Sequence, residues 1–151
     1  MRYSIQITVL LFVAILLSSV AFPQKEKATY SLTVEVKDLR NSKGLVQFAL
    51  YNKDGSIPDE DYEHYFKILK SEIKNESSSV TFTNIPTGKY AVNILHDENK
   101  NGIIDKGFIL PIEGIGFSNF QSIGFSNRPN FSKASFEVKE NKTINVKVIY
   151  M

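Results

Sequence analysis

One stretch, His96-Asp97-Glu98-Asn99-Lys100-Asn101-Gly102-Ile103-Ile104-Asp105, gathers the side chains of this sequence best able to hold a ligand. Asp97, Asn99 and Asn101 put oxygens at positions one, three and five of a loop, and Gly102 supplies the turn residue at six. Ile103 can present its carbonyl at seven, and Asp105 stands at nine. This is the spacing of a calcium loop. Position twelve, where a bidentate glutamate is expected, is Phe108. The missing acid is expected from Glu113, folding back, in preference to Glu98. Asparagines in place of aspartates lower the ligand charge, so the predicted affinity is weak, on the order of 10⁻⁴ to 10⁻³ M. The competing reading is a rigid turn capped by its own side chains, because Asp, Asn and Gly bond local backbone groups and tolerate left-handed angles. The ligand spacing favours calcium.

Other chemistry finds less support. His96 and Asp97 are adjacent on a strand pattern and point to opposite faces, so they do not form a dyad. His96 reads instead as a hydrogen-bonded core residue, and His64 as a solvated one. Without cysteines and with two histidines there is no zinc cluster. There is no nucleophile elbow and no phosphate-binding glycine loop. Glu98, Asp105 and Glu113 leave a carboxylate hydrolase as the alternative. Phe117, Phe120, Phe125 and Phe131 suit either a sugar or peptide platform or anchors for a long loop, and anchoring is expected because phenylalanines are usually buried.

A strand must feed the loop. From Lys89 to Leu95, Tyr90, Val92 and Ile94 share one face, His96 continues it, and Asp97 faces the other way. Ahead of it, Asn84-Ile85-Pro86-Thr87-Gly88 reads as a tight turn with the positive backbone angle at Gly88, after a short strand facing Val80 and Phe82 inward. Near the start, Tyr30, Leu32, Val34 and Val36 alternate with polar residues, and Val46, Phe48 and Leu50 alternate with Gln47 and Ala49. The turn at Asn41-Ser42-Lys43-Gly44 predicts that these two pair as an antiparallel hairpin. Pro58 to Phe66, a proline followed by acids, predicts a short helical turn leading into a strand.

Downstream, 99–130 is irregular and glycine-rich, and is expected to be one long ordered loop. It contains an echo, Ile115-Gly116-Phe117-Ser118-Asn119 and Ile123-Gly124-Phe125-Ser126-Asn127, too short to mark a repeat protein. A closing hairpin is predicted, with Ala134, Phe136 and Val138 on one arm and Ile144, Val146, Val148 and Tyr150 on the other. About seven short strands imply an all-β antiparallel sandwich.

The 151 residues suit one domain, with 42% hydrophobic and 23% charged residues. A net charge of +2, with lysines scattered among acids, excludes nucleic acid as a partner. Arg2, the apolar run from Ile5 to Val20 and the small residues Ser19-Val20-Ala21 predict a signal peptide over 1–21. A polar lead-in over 22–29 and a sandwich over 30–151 follow. The apolar run is short for a bilayer span, so no membrane insertion is expected after cleavage. Without cysteines, an exported chain has no disulfides and relies on packing, aided by any bound ion.

The segment Val80-Thr81-Phe82-Thr83-Asn84-Ile85-Pro86-Thr87-Gly88-Lys89-Tyr90-Ala91-Val92 resembles transthyretin-like and carboxypeptidase-regulatory-like sandwiches. With His96 to Gly102 and Glu113-Gly114-Ile115-Gly116-Phe117-Ser118-Asn119 added, the chain resembles the secreted bacterial family called domain of unknown function 2141, over Leu32 to Tyr150. The resemblance implies an exported Ig-like or transthyretin-like β-sandwich and no particular activity. The expected function is a non-enzymatic binding or accessory module, periplasmic or extracellular, acting on an envelope protein or glycan. A purely structural domain without a ligand is the third reading.

Overall fold

The computed structural model describes residues 27–108 and 110–151, so the expected signal peptide lies outside the described residues. Among the described residues, eight strands form two sheets. The first holds β1 (Thr29–Val36), β4 (Ser78–Pro86) and β8 (Lys142–Asn145), in the order β4-β1-β8. The second holds β2 (Leu45–Tyr51), β3 (Lys67–Ser71), β5 (Gly88–Asp97) and β6 (Gly114–Phe117), in the order β3-β2-β5-β6. β7 (Phe136–Val138) joins the start of β5 through Gly88 to Tyr90. The architecture is the expected all-β sandwich.

Two apolar cores explain its stability. Leu32, Val34 and Val36 of β1 and Phe82 of β4 meet Val46, Phe48 and Leu50 of β2 and Tyr90, Val92 and Ile94 of β5 between the sheets. The outer face of the second sheet is covered as well. Ala49, Tyr51, Ala91, Leu95, Ile115 and Phe117 pack there against Ile57, Tyr62, Phe120 and Phe131 from the long connections. Gln47 and Ala49, which alternation sets on the face opposite Val46, Phe48 and Leu50, are therefore buried as well. β2 and β5 are hydrophobic on both sides because both sides are covered.

Several pairings differ from the local expectation. β1 does not pair with β2; it pairs antiparallel with β4 and parallel with β8. The segment through Asn41 to Gly44 instead carries the chain from one sheet to the other, with Leu39 buried beneath it. The closing hairpin is likewise absent, because β7 lies in the second sheet and β8 in the first. Ala134 belongs to a four-residue helical turn, α1 (Phe131–Ala134), capped by Asn130 Oδ1 on the Lys133 N–H at 2.9 Å. In the β4–β5 turn the positive angle falls on Asn84 rather than Gly88. Alternation reports which face a residue occupies. It carries no information about which strand lies alongside.

The predicted helical turn at Pro58 to Phe66 is also absent. Tyr62 takes a left-handed angle of φ 53°, which stops a helix, and the segment wraps around one carboxylate instead. Asp59 accepts the N–H groups of Glu63 at 3.1 Å and His64 at 2.9 Å, together with the Tyr51 hydroxyl at 3.0 Å. Burial raises the Asp59 pKa, but these donors outweigh it and hold the group below the ordinary aspartate range. A depressed folded pKa stabilises the fold above the unfolded pKa, and that stability disappears as the pH falls through the folded value. The acid limb of the stability profile, below about pH 4, should therefore flatten in Asp59→Asn. The same variant should lose about 2 kcal/mol at pH 7, measured by urea denaturation across pH.

The two echo copies have different structures. Ile115 to Phe117 of the first copy pair with β5. The second copy makes a turn closed by Gly124 and Asn127. Phe117, Phe120 and Phe131 are buried anchors as expected, whereas Phe125 stands 86% exposed.

Candidate functional site

β5 is the central strand of its sheet, and its C-terminal end delivers Asp97 fully buried at the base of the loop. Asp97 Oδ1 accepts the Asn101 N–H at 3.0 Å, and Oδ2 accepts the Gly102 N–H at 2.9 Å. Asn99 Oδ1 also accepts the Asn101 N–H at 3.0 Å, and Asn101 Oδ1 accepts the Ile103 N–H at 3.0 Å. The amide nitrogens of Asn99 and Asn101 donate to different oxygens of Asp105. Gly102, at φ 83°, makes the turn, and Gln47 Nε2 holds its carbonyl at 3.1 Å. The loop is thus closed by hydrogen bonds among the residues that the calcium spacing selects.

Glu113 does fold back, as expected. Its Oε1 accepts the Glu98 N–H at 2.8 Å and its Oε2 the Asp105 N–H at 3.4 Å. Burial, then the charges of Asp97 and Asp105, push its pKa up against those two donors. Glu98 points elsewhere: Arg40 Nε donates to Oε1 at 2.6 Å, and Asn41 lies 3.4 Å from Oε2. Burial raises the Glu98 pKa, but Arg40 and Asn41 outweigh it and keep the carboxyl low. The loop therefore has Asp97, Asp105 and Glu113 on one side and Glu98 in an ion pair on the other. Ile103 is exposed, with its N–H used inside the turn.

His96 is buried and satisfied at both nitrogens. The Lys43 carbonyl can only accept, so Nε2 carries the hydrogen across 2.9 Å. Nδ1 then accepts from the Tyr150 hydroxyl at 2.7 Å, whose oxygen takes the Arg40 N–H at 3.1 Å. The chain of donors locks the loop from Asp38 to Gly44 onto β5 and the C-terminal segment. His64 keeps an exposed ring with Nδ1 3.1 Å from Asp59.

Three polar groups escaped attention in the sequence. Gln47 braces the loop, and Asp59 organises the 57–66 segment. Asn93 is fully buried on the outer face of β5 with neither amide atom hydrogen-bonded. Burial and Asp59 push the neighbouring Tyr51 phenol up, and the nearby Asn93 amide counters part of this without reaching hydrogen-bond geometry. A signal for Gln47 and Asn93 did exist, since each is a lone amide flanked by apolar residues, Val46 and Phe48 for one and Val92 and Ile94 for the other.

The donor set can be tested against calcium. Among the described residues, no three acidic, histidine or cysteine side chains stand close enough to hold a metal by themselves. A hard cation would thus depend on amide and carbonyl oxygens as well as Asp97 and Asp105. In the present arrangement the two amide NH₂ groups occupy the place at Asp105 that a cation would take. Rotating each amide about its terminal bond would aim oxygen there instead, but would turn NH₂ groups toward the Asn101 and Ile103 N–H groups that those oxygens now accept. The residue types fit calcium, and in this structure the same side chains cap the loop themselves.

These features define an all-β sandwich with an acid- and amide-rich loop at the end of its central strand. The chain belongs to DUF2141, a family of uncharacterized proteins conserved in bacteria, whose model matches residues 34–146. No curated protein and no solved structure matches it.

Proposed function

We propose that this chain is an exported, non-catalytic module of the bacterial cell envelope, acting on a protein or glycan there, whose 97–105 loop takes up calcium weakly. One observation carries the metal reading. Asp97, Asn99, Asn101 and Asp105 share one hydrogen-bonded network, with Glu113 accepting the Asp105 N–H beside it. Asp97, Asn99, Asn101, the Ile103 carbonyl and Asp105 would hold the ion, with Glu113 joining them by swinging in from the Glu98 and Asp105 N–H groups, and the ion would supply cross-linking of the loop. Export is supported by the apolar run from Ile5 to Val20 behind Arg2. A non-catalytic role is supported by the commitment of His96 to Tyr150 and Lys43, and of Glu98 to Arg40.

The test is a thermal melt with chelator and then with calcium at about 10 mM, which for the expected affinity adds about 1.4 to 2.7 kcal/mol. Magnesium at the same concentration should do much less, because it gives up its waters reluctantly. A calcium-independent melt would sink this reading. It would leave the second one, a ligand-free structural loop, which the closed hydrogen bonds of Asp97 favour.

A further inference from the structure

Beside the loop lies a cleft of about 420 Å³ on the outer face of the second sheet. Small-molecule sites run from about 300 to 1,000 Å³. Its lining includes Ile115 and Phe117 of β6, with Pro58, Ile104 and the exposed Phe125 from three separate connections. Asn93 also lines it. Asn93 is 0% exposed, and both of its amide atoms lack a partner. A buried amide left unpaired forfeits the hydrogen bonds it made with water in the unfolded chain, and leucine would fill the position without that cost. The neighbouring Asp59 does not relieve it, because its oxygens are taken by Tyr51, Glu63 and His64. Glu60, also in the lining, is paired with Lys106. The buried unpartnered polar groups of the cleft are therefore the donor and acceptor of Asn93, side by side in a largely apolar lining that Arg128 borders.

We infer that this cleft binds a compact, largely apolar small molecule carrying an amide edge, a C=O beside an N–H, which pairs with the Asn93 side chain. A carboxamide or a lactam has that edge. An extended peptide adding to the sheet does not suit the site, since β5 is flanked by β2 and β6 and has no free backbone edge here. Arg128, whose guanidinium sits 5.7 Å from the Phe125 ring centre, and Phe125 itself form the outer lip. The inference uses different side chains from the metal reading and stands without it.

The test is an NMR titration of the protein, in chelator, with benzamide and separately with toluene, its apolar body alone. Benzamide should move the Asn93 side-chain amide signals to saturation and bind about tenfold or more tightly than toluene, the value of one well-made buried hydrogen bond. Asn93→Leu should erase that preference. Phe125→Ala, a change at an exposed position that spares the fold, should weaken both probes. Equal binding of the two probes by the wild type would overturn the inference. So would saturable shifts that bypass Asn93 and Phe117, or the absence of any saturable shift. Asn93 signals that move with protein concentration alone would also overturn it, by placing a second copy in the cleft. Because chelator is present throughout, a failure here leaves the calcium reading untouched.

Discussion

Gly44→Ala is expected to destabilise the fold by about 3–5 kcal/mol, lowering the melting temperature by roughly 10–20 °C. Gly44 lies at φ 73°, where a β-carbon alone costs about 1–2 kcal/mol. The greater part is steric. A β-carbon there would stand 2.0 Å from the Asp97 carbonyl oxygen and 2.5 Å from the Glu98 Cα, both backbone atoms that no rotamer change can clear. The connection from β1 to β2 would have to lift off the end of β5. That movement would strain the bond from His96 Nε2 to the Lys43 carbonyl and the one from Arg40 to Tyr150. Gly55→Ala is the control. It shares the positive angle, at φ 77°, but meets nothing within 4 Å, so it should lose only about 1 kcal/mol. Urea denaturation of the two variants separates the strain common to both from the overlap peculiar to Gly44. Equal losses would show that the packing of this connection on β5 contributes little.

Asp97→Ala is expected to cost about 2–4 kcal/mol and to abolish any response to calcium. The carboxylate is buried at the root of the loop and serves two backbone donors, the N–H groups of Asn101 and Gly102. Alanine leaves both without it, though Asn99 Oδ1 remains for one of them. Removing a buried charge also relieves Glu113, whose pKa the Asp97 charge helps to raise, and this offsets part of the loss. Asp97→Asn separates structure from ligand. It keeps one acceptor oxygen, so its loss of stability should be near half that of alanine, yet it removes the charge a cation needs. A calcium-dependent melt in the wild type that disappears in Asp97→Asn assigns the ion to this loop. A response that survives in both variants places any bound calcium elsewhere.

The candidate loop was legible because its information is local. Asp97, Asn99, Asn101, Gly102 and Asp105 lie within nine consecutive residues, and the bonds that close the loop join the same residues that the spacing selects. The return of Glu113 was legible for a related reason, since it lies eight residues beyond Asp105 and few other acids could reach. Gln47, Gly44 and Asp59 were not. Gln47 meets Gly102 across fifty-five positions, and Gly44 meets Asp97 only because the chain changes sheets ahead of β2.

By itself the sequence determined the all-β class, most of the strands, the inward faces of β1, β2 and β5, and the residues of the acid- and amide-rich turn. Each follows from interactions between near neighbours, namely alternation, turn chemistry and side-chain capping. Only the tertiary structure decided the strand partners. It sent β1 to β4 and β8 rather than β2, and divided β7 and β8 between sheets. It also covered the outer face of β5 with the long connections, which buried Asn93. Those outcomes depend on burying two apolar faces at once, a condition that residues far apart in the chain must satisfy together.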